Sequence, residues 1–493
     1  MLFNSYVFIF LFFPIVIAVY FLLNHLKKYN IAKMFLAFAS LFFYGYFNWN
    51  YSLIITSSII LNYIFSLILL SKKSSQFVKK SVFTIALLGN IGTLGVFKYY
   101  DFFISNINAV FNSSLNTLNL LLPLGISFFT FQQLSYIIDS YNKDVPKYSF
   151  LDYALFVTYF PQLIAGPIVT HDEMVPQFAD ISKKKFNADN FAAGLYGFTL
   201  GLGKKVMIAD TLGLIVDKGF ENISGIGTEN AFLVMLAYTF QIYFDFSGYS
   251  DMATGIGKMM NIDIVQNFNS PYKAINIVDF WKRWHITLTR FFTKYIYIPL
   301  GGNRKGETRR NINILIVYLV SGIWHGANWT FIVWGILHGI ASVLTRIIDV
   351  KTGIYSEKKS KVLYCLSWCL TFAFLNLTWI IFRADSIEQA ISFYKELFSF
   401  NFVGLNPELI NLAQTDGLFF LTKTIPVAGD YIYNYAYIII FAIAFILSVF
   451  VKNANYRTVN YKAKWYHPFI VTGILFWCIM SFGGVSSFLY WNF

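Results

Sequence analysis

Charge is what this chain has least of. Of its 493 residues only 13% are Asp, Glu, Lys or Arg, about half the share carried by an ordinary soluble domain. A soluble globule of this length is excluded. Acidic residues are the scarcer sign, 25 against 38 basic ones. Cysteine is nearly absent: Cys365, Cys369 and Cys478 are the whole supply. The first two sit four apart on one apolar stretch, which makes neither a metal spacing nor a disulfide framework. Packing is their expected role, and no metal site is expected. Internal repeats are missing too, as is any low-complexity or linker segment that would set off a second domain. A single membrane domain over residues 1–493 accounts for the chain.

What fills the space is apolar and aromatic: 57% hydrophobic residues, with 55 Phe and 33 Tyr. Runs near the spanning length of about 20 residues recur from end to end. The first, Tyr6–Leu23, has no basic residue ahead of it and no small-residue cleavage site behind it, so it reads as a retained helix and not a signal peptide. Candidate spans follow at Met34–Phe47, Ser52–Leu70, Val82–Phe97, Leu151–Val169, Phe191–Val216 and Ala231–Phe246. Ile314–Ala327, Trp329–Thr345, Val362–Phe382, Tyr431–Val451 and Pro468–Leu489 complete the set. Met34–Phe47 is short, and Leu122-Pro123-Leu124-Gly125 breaks an apolar stretch that continues to Ile138. Such pieces survive only when buried in protein or lining a watery cavity. The expected fold is an all-α polytopic membrane protein of about 11–12 transmembrane helices, with re-entrant segments around a central chamber.

A net charge of +13 would suggest nucleic acid in a soluble protein. Here the cations cluster in short loops, His25–Lys33, Lys72–Lys80, Asn303–Arg310, Lys351–Lys361 and Lys452–Lys464, so they set topology and no nucleic acid is expected. Asn401–Asp430 is long and carries Glu408, Asp416 and Asp430 against Lys423 alone. The positive-inside rule puts the five basic loops in the cytoplasm and this loop outside. Both termini then lie outside, with the lipid bilayer as the constant partner.

Candidate chemistry concentrates between Asp245 and Gly339. His325 lies in Ser321-Gly322-Ile323-Trp324-His325-Gly326-Ala327-Asn328-Trp329, within an apolar stretch, Ile314–Thr345, that holds no acidic residue. An ionisable ring at membrane depth is costly and usually faces a cavity and does chemistry. Imidazole suits proton transfer near neutral pH, so His325 is the candidate base, about 17 Å of helix rise beyond Ile314. In Asp279–Arg290, helical spacing puts Trp281, His285 and Thr289 on one face and Asp279, Arg283 and Thr287 on another, with Asp279 and Arg283 able to pair. Tryptophan alternating with cations is also what a membrane-interface helix looks like. Asn267–Tyr272 reads as a turn before Pro271, and Asp245, Tyr249 and Asp251 as either solvated caps or site residues. His25, His171 and His467 are expected in solvent, and His338 in a hydrogen-bonded structural role or in catalysis.

Trp281-Lys282-Arg283-Trp284-His285, Tyr297–Arg304 and Ser321–Trp329 resemble the signature blocks of the membrane-bound O-acyltransferase family. Leu122–Gln132, Ile164-Ala165-Gly166-Pro167 and Phe244–Asp251 resemble further blocks of its bacterial polysaccharide branch, which covers alginate and peptidoglycan O-acetyltransferase subunits and the teichoic-acid D-alanylation subunit. The blocks follow in order from about Leu122 to Gly339. The resemblance implies a ring of helices around a funnel, with His325 at its narrow point and His285 as the second family histidine. It implies an acyl donor, acetyl-CoA before a D-alanyl thioester, reaching the base from the cytoplasm. No cofactor is bound; the acceptor hydroxyl comes from outside. Trp281, Arg283, Trp284, Asn328, Trp329, Asp245 and Tyr249 are the candidate substrate-binding residues. Asn328, Trp329 or backbone amides would meet the developing oxyanion.

Members of that branch pass the acyl group to a polymer through an extracytoplasmic partner. This chain has no Gly-Asp-Ser followed by Asp-x-x-His, so a separate hydrolase-like partner in a bacterial cytoplasmic membrane is implied. Peptidoglycan is the favoured polymer and an alginate-like exopolysaccharide the second. The competing class is a transporter or flippase for a lipid-linked sugar, which also needs polar residues at mid-depth and broken helices. Such folds show internal repeats, and this sequence shows none.

Overall fold

The computed structural model describes residues 1–142, 145–352, 360–482 and 488–489, and every described element is helical. Two stretches of the sequence reading therefore fall partly outside the described residues, the middle of the Lys351–Lys361 loop and the end of the Pro468–Leu489 run. The chain forms two compact units, residues 1–198 with 252–265, and residues 199–251 with 266–493.

The first unit begins with α1 (Phe13–His25), α2 (Tyr29–Gly45), α3 (Trp49–Leu70), α4 (Gln76–Leu94) and α5 (Tyr100–Phe111). A π turn at Gly95–Tyr99 joins α4 to α5, so Gln76–Phe111 is one apolar helical run of 36 residues. Apolar surface alone gives helices in lipid little reason to pair, and polar side chains supply specific contacts. Asn62 of α3 and Asn90 of α4 exchange side-chain hydrogen bonds at 3.1 and 2.7 Å. The predicted break at Leu122–Gly125 is present: α6 starts only at Ile126 and runs to Asn142. Leu151–Val169 is not a span. It is cut at Tyr159 into α7 (Phe150–Thr158) and α8 (Phe160–Leu163), with Pro161 in the first turn of α8. A proline there costs nothing in α8 but would clash with a carbonyl of a continuing α7. α9 (His171–Ala179) follows, opened by a capping box between Thr170 and Glu173.

Next come α10 (Ala188–Gly203), α11 (Asp210–Glu221) and α12 (Thr228–Met259). A π turn at Lys204–Ala209 links α10 to α11; such turns often re-aim side chains at functional places. In the second unit, Lys205 reaches Asp210 at 2.8 Å and Asp245 of α12 at 2.5 Å, and Lys204 reaches Asp251 at 2.6 Å.

The second unit continues through α13 (Ile277–Trp281), α14 (Ile286–Phe292), α15 (Gly306–His325), α16 (Trp329–Thr352) and α17 (Lys361–Arg383). It ends with α18 (Ile387–Leu397), α19 (Pro407–Ile410), α20 (Asp416–Thr424), α21 (Pro426–Asn434), α22 (Ala436–Val449), α23 (Ala454–Val459) and α24 (His467–Met480). α21 and α22 meet at 74°. Among the described residues five helices are long and apolar enough to cross a membrane, or six if that bent pair is one span. The other candidate spans fall on shorter helices such as α2 and α24, or on helices that carry ionisable residues, as α12 and the first turns of α15 do.

Candidate active site

His325 is the last residue of α15, and Gly326 leaves the helix with extended backbone. A Cβ on Gly326 would collide with the Phe331 ring, one on Gly322 with the Phe331 carbonyl, and one on Gly335 with that of Tyr318. Small residues thus let α15 and α16 approach closely, which brings Trp334 against His325. The imidazole is 1% exposed. Three ring edges enclose it: Trp324 at 5.0 Å, Trp334 at 5.1 Å and Phe382 of α17 at 5.2 Å between centroids, all steeply inclined. In such a dry surround an imidazole that takes a proton is not levelled by water, and the charges of a reaction are felt strongly.

His285 reaches the same neighbourhood by another route. The continuous helix expected over Asp279–Arg290 does not form. α13 stops at Trp281 and α14 starts at Ile286, so Trp281, His285 and Thr289 do not share a helical face. His285 itself takes the left-handed conformation, φ 43° and ψ 52°, which costs a non-glycine residue about 1–2 kcal/mol. Asn267 helps to hold it there. Asn267 Oδ1 accepts from His285 Nδ1 at 3.2 Å, from the Thr287 hydroxyl at 2.9 Å and from the Thr287 N–H at 3.3 Å. The Asn267 carbonyl also accepts from Ile286 N–H at 2.9 Å. Because an amide oxygen only accepts, Nδ1 of His285 carries the hydrogen and Nε2 is the basic nitrogen. Trp324 touches both histidine rings, lying 6.0 Å from that of His285. The Asp279–Arg283 pair is present at 2.9 Å, with both side chains a quarter to a third exposed.

His338 is tied on both nitrogens. The Trp281 indole N–H donates to Nδ1 at 3.2 Å, and Nε2 lies 3.1 Å from the Thr378 hydroxyl. An indole can only donate, so Nε2 carries the ring hydrogen and gives it to Thr378. That hydroxyl in turn donates to the Phe374 and Leu375 carbonyls. Both ring nitrogens are hydrogen-bonded, the arrangement expected of a histidine in a structural role.

The remaining candidates divide by exposure. Trp284 is buried against Phe268 and Trp379 at 5.0 and 5.1 Å. Asp245 is buried on Lys205 and also accepts the Leu489 N–H at 3.0 Å, while Tyr249 packs on Phe488 at 4.8 Å. Neither aspartate of that block is a solvated cap: Asp251 pairs with Lys204. Asn328 gives one amide hydrogen to the Asp385 carbonyl at 2.7 Å and accepts the Thr330 N–H at 3.0 Å. Trp329 is 53% exposed.

Two histidines expected in solvent are buried, and only His25 is exposed. His171 lies between Asp139 of α6, at 3.1 Å from Nε2, and the Tyr148 hydroxyl, at 3.2 Å from Nδ1. His467 stacks on Tyr461 with centroids 4.9 Å apart. Sequence reasoning also passed over Lys204 and Lys205, although two adjacent lysines inside an apolar run are themselves a sign of buried partners.

Known proteins resemble this chain over most of its length. The family model for MBOAT, the membrane-bound O-acyltransferase family, matches residues 41–368. A peptidoglycan O-acetyltransferase of Helicobacter pylori is 44% identical, over 82% of this chain and 81% of that protein. A probable alginate O-acetylase of Pseudomonas aeruginosa is 37% identical, over 85% of this chain and 78% of its own length. A teichoic acid D-alanyltransferase of Streptococcus thermophilus is 26% identical, over 54% of this chain and 69% of that one.

Proposed function

The chain belongs to the membrane-bound O-acyltransferase family, and on that footing we propose that it carries acetyl groups from acetyl-CoA on the cytoplasmic side to a cell-envelope polysaccharide on the other. Peptidoglycan is the favoured polymer, since the more similar of the relatives described above is a peptidoglycan O-acetyltransferase; alginate-like exopolysaccharide comes second. The observation that carries the reading is a fully buried His325 at the C-terminal end of α15, walled by Trp324, Trp334 and Phe382.

In the proposed reaction the acceptor hydroxyl oxygen attacks the thioester carbonyl carbon while His325 takes the hydroxyl proton. The tetrahedral adduct collapses, the C–S bond breaks, and the imidazolium returns its proton to the departing thiolate. An acetyl ester and free coenzyme A result, with no net change at the histidine. Asn328 commits one of its two amide hydrogens to the Asp385 carbonyl; the other and the backbone amides of the turn after His325 are the oxyanion donors. His285 serves the donor side, oriented by Asn267. Trp281 and Trp284 shape the site by packing, Asp245 and Tyr249 by organising α12, and the more exposed Arg283 and Trp329 meet substrate. The site lies at the narrow point of a funnel in the bacterial cytoplasmic membrane, with both termini outside. A separate hydrolase-like partner docks outside, near Asn401–Asp430, and places the acetyl group on the polymer.

Proteoliposomes containing the full chain test this, with acetyl-CoA on one face and a water-soluble sugar alcohol on the other. Release of coenzyme A should require the hydroxyl acceptor across the bilayer, and His285→Ala should raise the acetyl-CoA concentration needed for half-maximal release. Release that is indifferent to the acceptor, or turnover only with a D-alanyl thioester, would overturn acetyl transfer.

A further inference from the structure

The second unit holds a cavity of about 730 Å³ that plays no part in the proposed chemistry. None of its lining residues is a candidate catalytic histidine. It follows α22, whose sequence Ala436–Val449 has no charged residue. Fourteen residues at 1.5 Å each give a wall about 21 Å long, more than one leaflet of a hydrocarbon core about 30 Å thick. Ile439, Ile443 and Leu447 line this wall and are 36%, 44% and 37% exposed.

Its polar lining includes the uncharged Asn411, Gln414 and Thr415. Lys452 and Arg457 also line it, from the basic loop that follows the C-terminal end of α22. Lys452 Nζ donates to the Tyr456 hydroxyl at 2.9 Å and lies 4.2 Å from that ring's centre, and Arg457 Nε donates to the Lys452 carbonyl at 3.2 Å. These contacts hold the two cations together, and no carboxylate neutralises either among the described residues. The other charges along the cavity are already matched: Asp210 by Lys205 at 2.8 Å and Lys204 by Asp251 at 2.6 Å. The groove therefore offers a long apolar wall that ends in two uncompensated positive charges.

We propose that this groove is a binding site for one anionic phospholipid, its headgroup on Lys452 and Arg457 and an acyl chain along Ile439, Ile443 and Leu447. A free phosphate would satisfy the cations and leave the apolar wall empty. A neutral lipid would do the reverse. Basic side chains next to a membrane surface draw anionic headgroups, and here the apolar wall fixes the chain of the same molecule.

Thermal unfolding of the full chain in neutral detergent tests the proposal without any acyl-transfer readout, so its failure is separable from that of the proposed reaction. Phosphatidylglycerol should raise Tm by several degrees more than phosphatidylcholine of the same chains, and glycerol phosphate should leave Tm unchanged. Lys452→Gln with Arg457→Gln should abolish the difference between the lipids. Ile443→Trp, which fills the wall and keeps the cations, should weaken the response to phosphatidylglycerol. Equal stabilisation by both lipids, a glutamine variant that responds as the native chain does, or an effect reproduced by glycerol phosphate would overturn the site. So would a photo-crosslinking group at Ile443 that captures only polypeptide and no lipid in native membranes.

Discussion

His325 and His338 share a neighbour and little else. Trp334 lies 5.1 Å from the first ring and 4.8 Å from the second, both imidazoles are fully buried, and both sit on apolar helices beside tryptophan. Both ring nitrogens of His338 have a defined counterpart: Trp281 donates to one and Thr378 accepts from the other. Around His325 three aromatic rings stand at steep angles to the imidazole. A histidine locked between a donor and an acceptor cannot change protonation without breaking a buried hydrogen bond. One at a helix end with three aromatic rings around it sits in a dry, tightly shaped pocket, the setting proposed for the base. The same local sequence flavour thus yields a strut in one place and a candidate base in the other.

Exchanging the two residues' fates is the sharpest way to break that contrast. His325→Ala should cost acyl transfer about a hundred- to ten-thousand-fold, the usual worth of a positioned acid–base group. Expression and Tm should stay near the native values. Near-normal transfer by a well-expressed variant would remove His325 as the base. The next effect in size belongs to His338→Ala, which strands the buried Trp281 N–H and should cost about 1–3 kcal/mol of stability. Urea unfolding in detergent measures it, and transfer per folded molecule should remain within a few-fold of native. A large loss of turnover at unchanged stability would move His338 into the chemistry.

The smallest effect is expected from Arg283→Ala at the Asp279 pair. With both side chains partly exposed, the pair contributes about 0–1 kcal/mol. A shift in Tm beyond about 2 °C, the most that 1 kcal/mol produces in a chain of this length, would mean that the pair does more than its exposure allows. Its proposed place against substrate should show instead as a raised acetyl-CoA requirement at unchanged Tm, and an unchanged requirement would remove Arg283 from the substrate contacts.

How far the sequence could be read follows the distance to each residue's partner. The apolar runs, the break before Ile126 and the prominence of His325 are written locally, in composition and in the absence of acid from Ile314–Thr345. The turn at His285 is not. Its helical pattern is intact over Asp279–Arg290, and what breaks it is Asn267, from a preceding segment, taking three donors on one oxygen. His171 looked solvated beside Asp172 and Glu173 because its partner, Asp139, belongs to an earlier helix. Lys204 and Lys205 are matched by Asp251 and Asp245 on α12, so neither the lysines nor the aspartates explain themselves alone. Periodicity reports which face is apolar; it does not report which polar group on another helix will meet a buried charge.

The third wall of the His325 cage has a consequence for how the protein is made. Phe382 lies at the far end of α17, so the ribosome must deliver all of α16 and α17 after His325 before the ring is enclosed. The hydrogen bonds from Asn267 to His285 and Thr287, by contrast, can form as soon as α14 has emerged, because both partners lie within the same short stretch of chain. Contacts close along the chain form early and distant ones wait for the chain between them. Synthesis thus sets the turn first and the dry pocket last, and a chain arrested before Phe382 carries its histidine without the enclosure that defines it.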